Sequence, residues 1–353
     1  MSLVPRSTRT ASFNKVASWR LIAALITLAL VAAACGSDST TDAASAPEAA
    51  VASETTESEE DEAMEDEEEA MEDEEESTTE VRTLNIGAIP DQEPERLQRT
   101  YDLLATYLEA EIDNLEVEYV PVTEYNAAVT GFSTGDLDAV WFGGLTGVQA
   151  RLEVEGSTAI LQRDIDEDFT SVFIARADSG IEPFTSVADL QTIAGRSFTF
   201  GSESSTSGRL MPQAFLNEAG IDPSADFASQ PGFSGSHDAT IEVVTAGSFE
   251  VGALNSQVWD ARVEEGAVDT DEVIEIFRTP EFFDYHWVAQ PDLDVRLGEG
   301  FTDELTEAFV GLDASDPDHA AILELFGAGS FIVTENDNYE AIELVGRDSG
   351  LIR

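Results

Sequence analysis

The chain has 353 residues, with 72 acidic side chains against 17 basic ones and a formal charge of −55. A polyanion of this strength is repelled by a phosphate backbone, which excludes nucleic acid as a partner. Its one cysteine, Cys35, leaves no internal disulfide and no thiolate metal cage, so folding has to rest on a hydrophobic core.

At the N-terminus, Arg6, Arg9, Lys15 and Arg20 precede the apolar run Leu21–Ala34, the layout of a secretory signal. The run is too short for a comfortable membrane span. It ends in V-A-A-A-C-G, with Cys35 placed after small residues as in a bacterial lipoprotein signal. Residues 1–34 are therefore expected to be removed and Cys35 acylated; an ordinary signal or an uncleaved anchor are the alternatives. Residues 35–82 carry no aromatic side chain and include the tandem repeat A-M-E-D-E-E-E at Ala63–Glu69 and Ala70–Glu76. Dense like charge with little to bury predicts a disordered tether. A neutral coil of this length would span on the order of 35–40 Å, and self-repulsion stretches it further.

Beyond Arg82 the chain holds 52 acidic residues and 12 arginines without a lysine, and is long enough for two lobes. Apolar runs predict a strand at Leu84–Ile89 and a helix at Pro94–Ile112, with Leu97, Tyr101, Leu104 and Leu108 along one face. A strand at Val117–Val122, a helix at Glu124–Phe132 with Thr123 as cap, and a strand at Leu137–Phe142 follow. The last runs into Gly143 and Gly144 and a helix through Leu152. The pattern repeats as strands at Ser171–Ala177, Ser197–Gly201, Ser229–Phe233 and Glu250–Ala253. Between and after them helices are expected near Val187–Ile193, after Ser207, from His237 and from Asn255. Strand-like Val273–Arg278 and Trp287–Ala289 precede helices at Thr302–Leu312, Ala320–Phe326 and Asn336–Asp348. Alternation of this kind predicts an α/β protein with mainly parallel sheets flanked by helices. Lobe I is expected to comprise 83–168 and 280–353, lobe II 169–279, with a ligand cleft between them.

The turn F-T-F-G-S-E-S-S-T-S-G-R-L-M-P at Phe198–Pro212 puts Ser204, Ser205, Thr206 and Ser207 at a helix start. Free N–H groups and the dipole's positive end suit an anion there, although such hydroxyls also serve as caps. Pro212 requires the helix either to begin near Arg209 or to kink. Four more strand-to-helix turns offer short polar groups: Thr123 with Tyr125, Gly143 with Gly144, Ser236 with His237, and Asn255 with Ser256. Their convergence points to anion capture.

These motifs, with F-S-G-S-H-D-A-T at Phe233–Thr240, G-A-L-N at Gly252–Asn255 and D-Y-H-W at Asp284–Trp287, resemble the phosphonate-binding family. Its members are periplasmic solute-binding proteins of ABC importers for phosphonate, phosphite and phosphate. The resemblance spans essentially all of Thr83–Arg353 and is closest to a branch labelled selenate-binding. It implies a two-lobe periplasmic-binding-protein fold of type II, with Ser205, Thr206, Ser207 and Gly208 around the oxyanion, His237 beside it and Tyr125 on the lobe I side. Phe169 stands where phosphonate binders present a ring, without a hydroxyl to donate. Asp284 aligns with an acid that holds the amine of aminoalkyl phosphonates, and Gln257 replaces its companion, so a small oxyanion is favoured over an amine-bearing ligand. His237 is expected to titrate near ~6.5 and to strengthen binding as pH falls toward that value.

The expected protein is thus an exported monomer, lipid-anchored on the outer face of the cytoplasmic membrane in the periplasm or at the cell surface. It would deliver an oxyanion to an ABC permease with its ATPase, with no cofactor, metal or catalytic residue. A selenate carrier and a chemosensory binding protein are alternatives. A hydrolase built on Ser205, His237 and Asp284 is the weakest, since no G-x-S-x-G elbow is present.

Overall fold

The structure, a computed structural model, describes residues 81–353. The expected signal peptide, the acylated Cys35 and the tether as far as residue 80 lie outside the described residues, and Arg82, expected as the tether's last residue, instead opens the first strand.

The chain opens with strand β1 (Arg82–Ala88), whose Leu84 and Ile86 are buried, and the helix Pro94–Glu111. Proline at the helix start carries no N–H to orphan. Leu97, Tyr101, Leu104 and Leu108 are all buried along its inner face, worth about 1.5–3 kcal/mol each. Asn114, in the left-handed region at φ 57°, reverses the chain at small cost for an asparagine. Strand β2 (Leu115–Tyr119) follows, then the helix Tyr125–Thr134, β3 (Ala139–Phe142), the helix Gly144–Glu153 and β4 (Thr158–Arg163).

The chain then crosses to a second sheet made of β5 (Ser171–Arg176), β6 (Phe198–Phe200), β7 (Gly232–Phe233), β8 (Val251–Asn255) and β9 (Val273–Arg278). It returns through β10 (His286–Ala289) and ends with the helices Leu293–Leu297, Phe301–Val310 and Pro317–Phe326, β11 (Phe331–Val333) and the helix Glu340–Asp348. The sheet orders are β11-β4-β10-β3-β1-β2 and β7-β6-β8-β5-β9. Helices flank both, and the architecture is a two-lobe α/β fold.

The sheets are mixed, which corrects the expectation of mainly parallel ones. β1 is parallel to β2 and β3, and β6 to β7 and β8. β10 runs antiparallel to β3 and β4, β11 to β4, and β5 to β8 and β9. The cause is the double crossing: a chain that returns from the second sheet without a crossover helix enters the first from the opposite end. β4 and β11 were not foreseen, and Val187–Ile193 is 3₁₀ rather than α-helical.

The two crossing segments pair with each other. Phe169 and Phe282 exchange backbone bonds of 3.0 and 2.8 Å, and the Asp284 N–H donates to the Asp166 carbonyl at 3.2 Å. Beneath them lies a buried ion pair. Arg163 Nε and Nη2 donate to the two carboxylate oxygens of Asp166 at 2.8 and 2.7 Å, and Nη1 donates to the Phe326 carbonyl at 2.6 Å. The guanidinium faces the rings of Tyr285, Trp141 and Phe169 at 4.9, 5.5 and 5.5 Å. Bidentate geometry of this kind offsets the desolvation of both charges.

Candidate functional site

β6 ends at Phe200, just before Gly201, and the hydroxyl turn follows with one π-helical turn, Thr206–Leu210, before the α-helix Met211–Glu218. Leu210 N–H reaches back five residues to the Ser205 carbonyl at 3.0 Å. Pro212 has no N–H for the Gly208 carbonyl four residues earlier, and Gly201 N–H takes that carbonyl instead at 2.8 Å. The widened turn thus resolves the proline: it sits in the first turn of the α-helix. Gly208 is required by close approach, since a Cβ there would lie 2.9 Å from Ser205 Oγ and 3.2 Å from His237 Cε1.

The four hydroxyls of the turn have different partners. Ser205 Oγ accepts the Gly208 N–H at 2.9 Å, an N-cap. Ser204 Oγ donates to Asn126 Oδ1 at 2.8 Å and Thr206 Oγ1 accepts the Leu145 N–H at 2.9 Å, both reaching elements of the first sheet's lobe. Ser207 gives its carbonyl to Ser171 Oγ at 2.7 Å, while its own buried hydroxyl has no partner.

The first lobe contributes Tyr125, first residue of its helix, whose buried hydroxyl has no hydrogen-bond partner. Burial raises its pKa well above 10, so it stays a donor. Gly144 N–H, at the start of the next helix, donates to Asp284 Oδ1 at 2.9 Å. Asp284 Oδ2 is buried without a well-formed hydrogen bond among the described residues. Burial pushes this carboxyl up to about 7; the Gly144 bond and the adjacent Ser207 and Thr206 hydroxyls oppose the rise and Asp166 adds to it.

His237 opens the helix His237–Thr245, which Ser236 caps through the Ala239 N–H at 3.2 Å. Its Nδ1 accepts the Asn255 N–H at 3.3 Å, so the ring proton sits on Nε2, 3.2 Å from the Tyr285 hydroxyl. Burial lowers its pKa to about 4. The expectation of an imidazole titrating near ~6.5 is therefore corrected: the ring is neutral at neutral pH because it is wholly enclosed. With both nitrogens engaged by Asn255 and Tyr285, no serine pairs with His237 as a nucleophile would require.

Two residues here were missed by sequence reasoning. The Tyr285 hydroxyl donates to Asp91 Oδ2 at 2.9 Å and accepts from Asn255 Nδ2 at 3.0 Å. Burial raises Asp91 to about 6, against the Tyr285 bond and Arg163. The available signal was position: Asp91 lies just past the carboxyl end of β1, where open sheets present ligand-side groups.

The remaining candidates lie further out. Phe169 is buried, with its ring edge-on to Tyr285 at 5.5 Å. Gln257 is half-buried in an open groove of about 780 Å³, lined also by Phe169, Ser256, Asp260 and Arg278, and packs against Gly327. It is not brought to the turn. Arg209 lies over the rings of Phe200 and Phe233 at 4.3 and 5.3 Å, and burial lowers its pKa to about 10. His286, held by the Asp284 carbonyl at 3.0 Å and stacked on Tyr339, and His319, edge-on to Tyr107, are structural.

Comparison with known proteins gives a consistent set of likenesses. The family model described as "ABC transporter, phosphonate, periplasmic substrate-binding protein" matches residues 86–339. The probable ABC transporter phosphite binding protein PhnD1 of Prochlorococcus marinus is 47% identical over 272 residues, covering 77% of this chain and 91% of the relative. The solved structure of that PhnD1 in complex with methylphosphonate superposes with a TM-score of 0.74, over 77% of this chain and 99% of the other. The phosphate-import protein PhnD of Mycolicibacterium smegmatis is 28% identical over 207 residues, 56% of this chain and 63% of the relative. A binding protein component of an ABC phosphonate transporter from Pseudomonas aeruginosa, at 17% identity and a TM-score of 0.66, covers 75% of this chain and 86% of its own and shares the fold.

Proposed function

The chain belongs to the family of periplasmic substrate-binding proteins of phosphonate ABC transporters, and from that premise we propose that it captures a small phosphorus oxyanion, of the phosphite, phosphonate or phosphate type, by closing its lobes. We assign 83–168 with 280–353 to lobe I and 169–279 to lobe II; support comes from the division of the strands between the two sheets. Ligand is held and handed on, and no bond is broken.

The observation that carries the reading is that three of the buried oxygens without a well-formed hydrogen bond among the described residues, Tyr125 Oη, Ser207 Oγ and Asp284 Oδ2, gather at the hydroxyl turn, Tyr125 beside Ser205 and Asp284 beside Ser207 and Thr206. Polar groups orphaned in a core cost about 1–3 kcal/mol each, so their concentration around one helix start marks a place for a hydrogen-bonding guest. Two of them are hydroxyl donors, and the first-turn N–H groups of Thr206 and Ser207 add dipolar ones. The third is a carboxyl with a pKa of about 7, which shares one proton with its guest: ionised, it accepts from a P–OH; protonated, it donates to a dianion. Selenate, which carries no proton near neutrality, can be met only by the protonated carboxyl, whose proton then comes from solvent. That asymmetry favours phosphorus oxyacids over selenate. The contact set is Tyr125, Ser205, Thr206, Ser207, Gly208, His237 and Asp284, with Phe169 behind Tyr285; Gln257 stays in the outer groove. Four or five hydrogen bonds to a charged group, at roughly 1.5–3 kcal/mol each, suffice for micromolar affinity.

Anchoring by acylated Cys35, with residues 36–82 as tether, would keep the protein on the outer face of the membrane beside a permease and its ATPase. Mass spectrometry of the N-terminal peptide tests this and should find diacylated Cys35. Calorimetric titration with phosphite, methylphosphonate, phosphate, selenate and sulfate tests the ligand. One phosphorus oxyacid should bind clearly best; silence toward all five sinks the reading, and selenate as the best ligand overturns the choice of guest.

A further inference from the structure

Three groups meet at one phenol oxygen, and their directions are forced. Asn255 Oδ1 accepts the Val258 N–H at 2.7 Å, so its amide turns the NH₂ toward Tyr285, 3.0 Å away. His237 Nδ1 accepts the Asn255 N–H at 3.3 Å, so the ring turns Nε2–H toward the same hydroxyl, 3.2 Å away. A phenol with two donors aimed at its oxygen has one proton left to place. Asp91 Oδ2, at 2.9 Å, is the acceptor.

The chain of bonds crosses between the lobes. Asp91 follows β1, whereas His237 and Asn255 belong to the elements around β8, and the Asp91 carbonyl also accepts the His237 N–H at 3.0 Å. The neighbouring charges are already matched. Asp238 receives Arg262 at 2.7 and 3.1 Å and the Glu93 N–H at 3.1 Å, and Arg163 is paired with Asp166. The His237 ring itself packs against the anion turn, its Cε1 3.2 Å from the place a Cβ of Gly208 would take.

We propose that Asp91 is a positioning residue of the oxyanion site: by taking the Tyr285 proton it keeps the phenol oxygen as the acceptor for His237 Nε2–H, and so holds the ring, whose tautomer the Asn255 N–H sets, with its edge against Gly208. The inference rests on the oxyanion reading and deepens it. His237 serves the site as an oriented neutral wall, and a carboxylate of one lobe is needed to set a side chain of the other. The site is therefore complete only when the lobes meet.

The chain has three histidines, so ¹⁵N-histidine NMR of the full-length protein resolves the ring states, with His237→Gln for assignment. Wild-type His237 should be neutral and protonated on Nε2. His286, whose Nδ1 donates to the Asp284 carbonyl at 3.0 Å, should show the opposite tautomer. Tyr285→Phe should keep that tautomer but shift the His237 Nε2–H resonance as its hydrogen bond is lost, Asp91→Ala should shift it too, and each should weaken phosphite binding about tenfold or more. Asp91→Asn, which keeps an acceptor oxygen, should recover the resonance and much of the affinity. An unchanged His237 Nε2–H resonance in Tyr285→Phe overturns the proposal, and this variant decides the matter alone if Asp91→Ala does not fold. A wild type silent toward phosphite, methylphosphonate and phosphate would overturn the oxyanion reading instead, while the Nε2–H resonance still decides whether Asp91 positions the ring.

Discussion

Asp166 and Asp284 lie on the two crossing segments, are both essentially inaccessible to solvent, and are joined by a backbone bond of 3.2 Å. Yet they are opposite kinds of carboxyl. Asp166 has Arg163 on both oxygens and a guanidinium enclosed by three rings behind it. Asp284 has one oxygen on a backbone N–H and the other without a well-formed bond, beside the Ser207 and Thr206 hydroxyls. A buried acid with both oxygens paired to a guanidinium belongs to the scaffold, whereas one left half-matched beside buried hydroxyls is what the proposed oxyanion site calls for.

The largest expected effect tests that contrast directly. Asp166→Ala leaves Arg163 buried without its carboxylate and should cost about 3–5 kcal/mol of stability. Asp284→Asn imitates the protonated carboxyl and keeps the acceptor for Gly144 N–H, so it should lose no more than about 1 kcal/mol at pH 4 and nothing at pH 7. Equal losses in urea titrations would erase the distinction.

A pH series sharpens it. Folded Asp284 keeps its proton up to about 7 instead of 3.8, so its contribution to stability is fully present below about 4 and is lost as pH rises through 7. His237, lowered from 6.5 to about 4, runs the other way, its contribution present above ~6.5 and lost as pH falls through 4. Removing the first should leave the second. The stability of the wild type relative to Asp284→Asn should therefore fall by on the order of 4 kcal/mol between pH 4 and 7, and parallel profiles would contradict the assignment.

The smallest effect separates two neighbouring serines. Ser207→Ala removes an orphaned hydroxyl, so it should weaken phosphite by about 1–3 kcal/mol in calorimetry with little change in unfolding. Ser205→Ala removes a cap and should lower the unfolding free energy by about 1 kcal/mol.

The strand and helix alternation was legible because most buried strands are continuous apolar runs. β4 escaped because Gln162 and Arg163 interrupt its run, and what makes them tolerable in a core, the Tyr339 hydroxyl and the Phe326 carbonyl, lies more than 160 residues away. The direction of β10 escaped for a related reason: it is set by the path of the returning chain, which no local pattern records. Within the site, the hydroxyl turn was readable because its hydroxyls and glycine are contiguous. The chain from Asp91 through Tyr285 to His237 was not, since its bonds link residues 194 and 48 positions apart, and the charge state of His237 depends on an enclosure assembled from all of them.

The π turn at Thr206–Leu210 is also a store of sequence length. A turn of this kind holds one residue more than its α counterpart, and each residue of a regular helix advances the chain by about 100°. Phe215 and Leu216, buried further along, fix the helix against the second lobe. Deleting one residue from the turn would leave that anchored face in place and swing Ser205, Thr206 and Ser207 by about a quarter revolution, off Leu145 and Asp284. In this fold the length of one turn, more than the identity of its side chains, sets the angle at which the hydroxyls face Leu145 and Asp284.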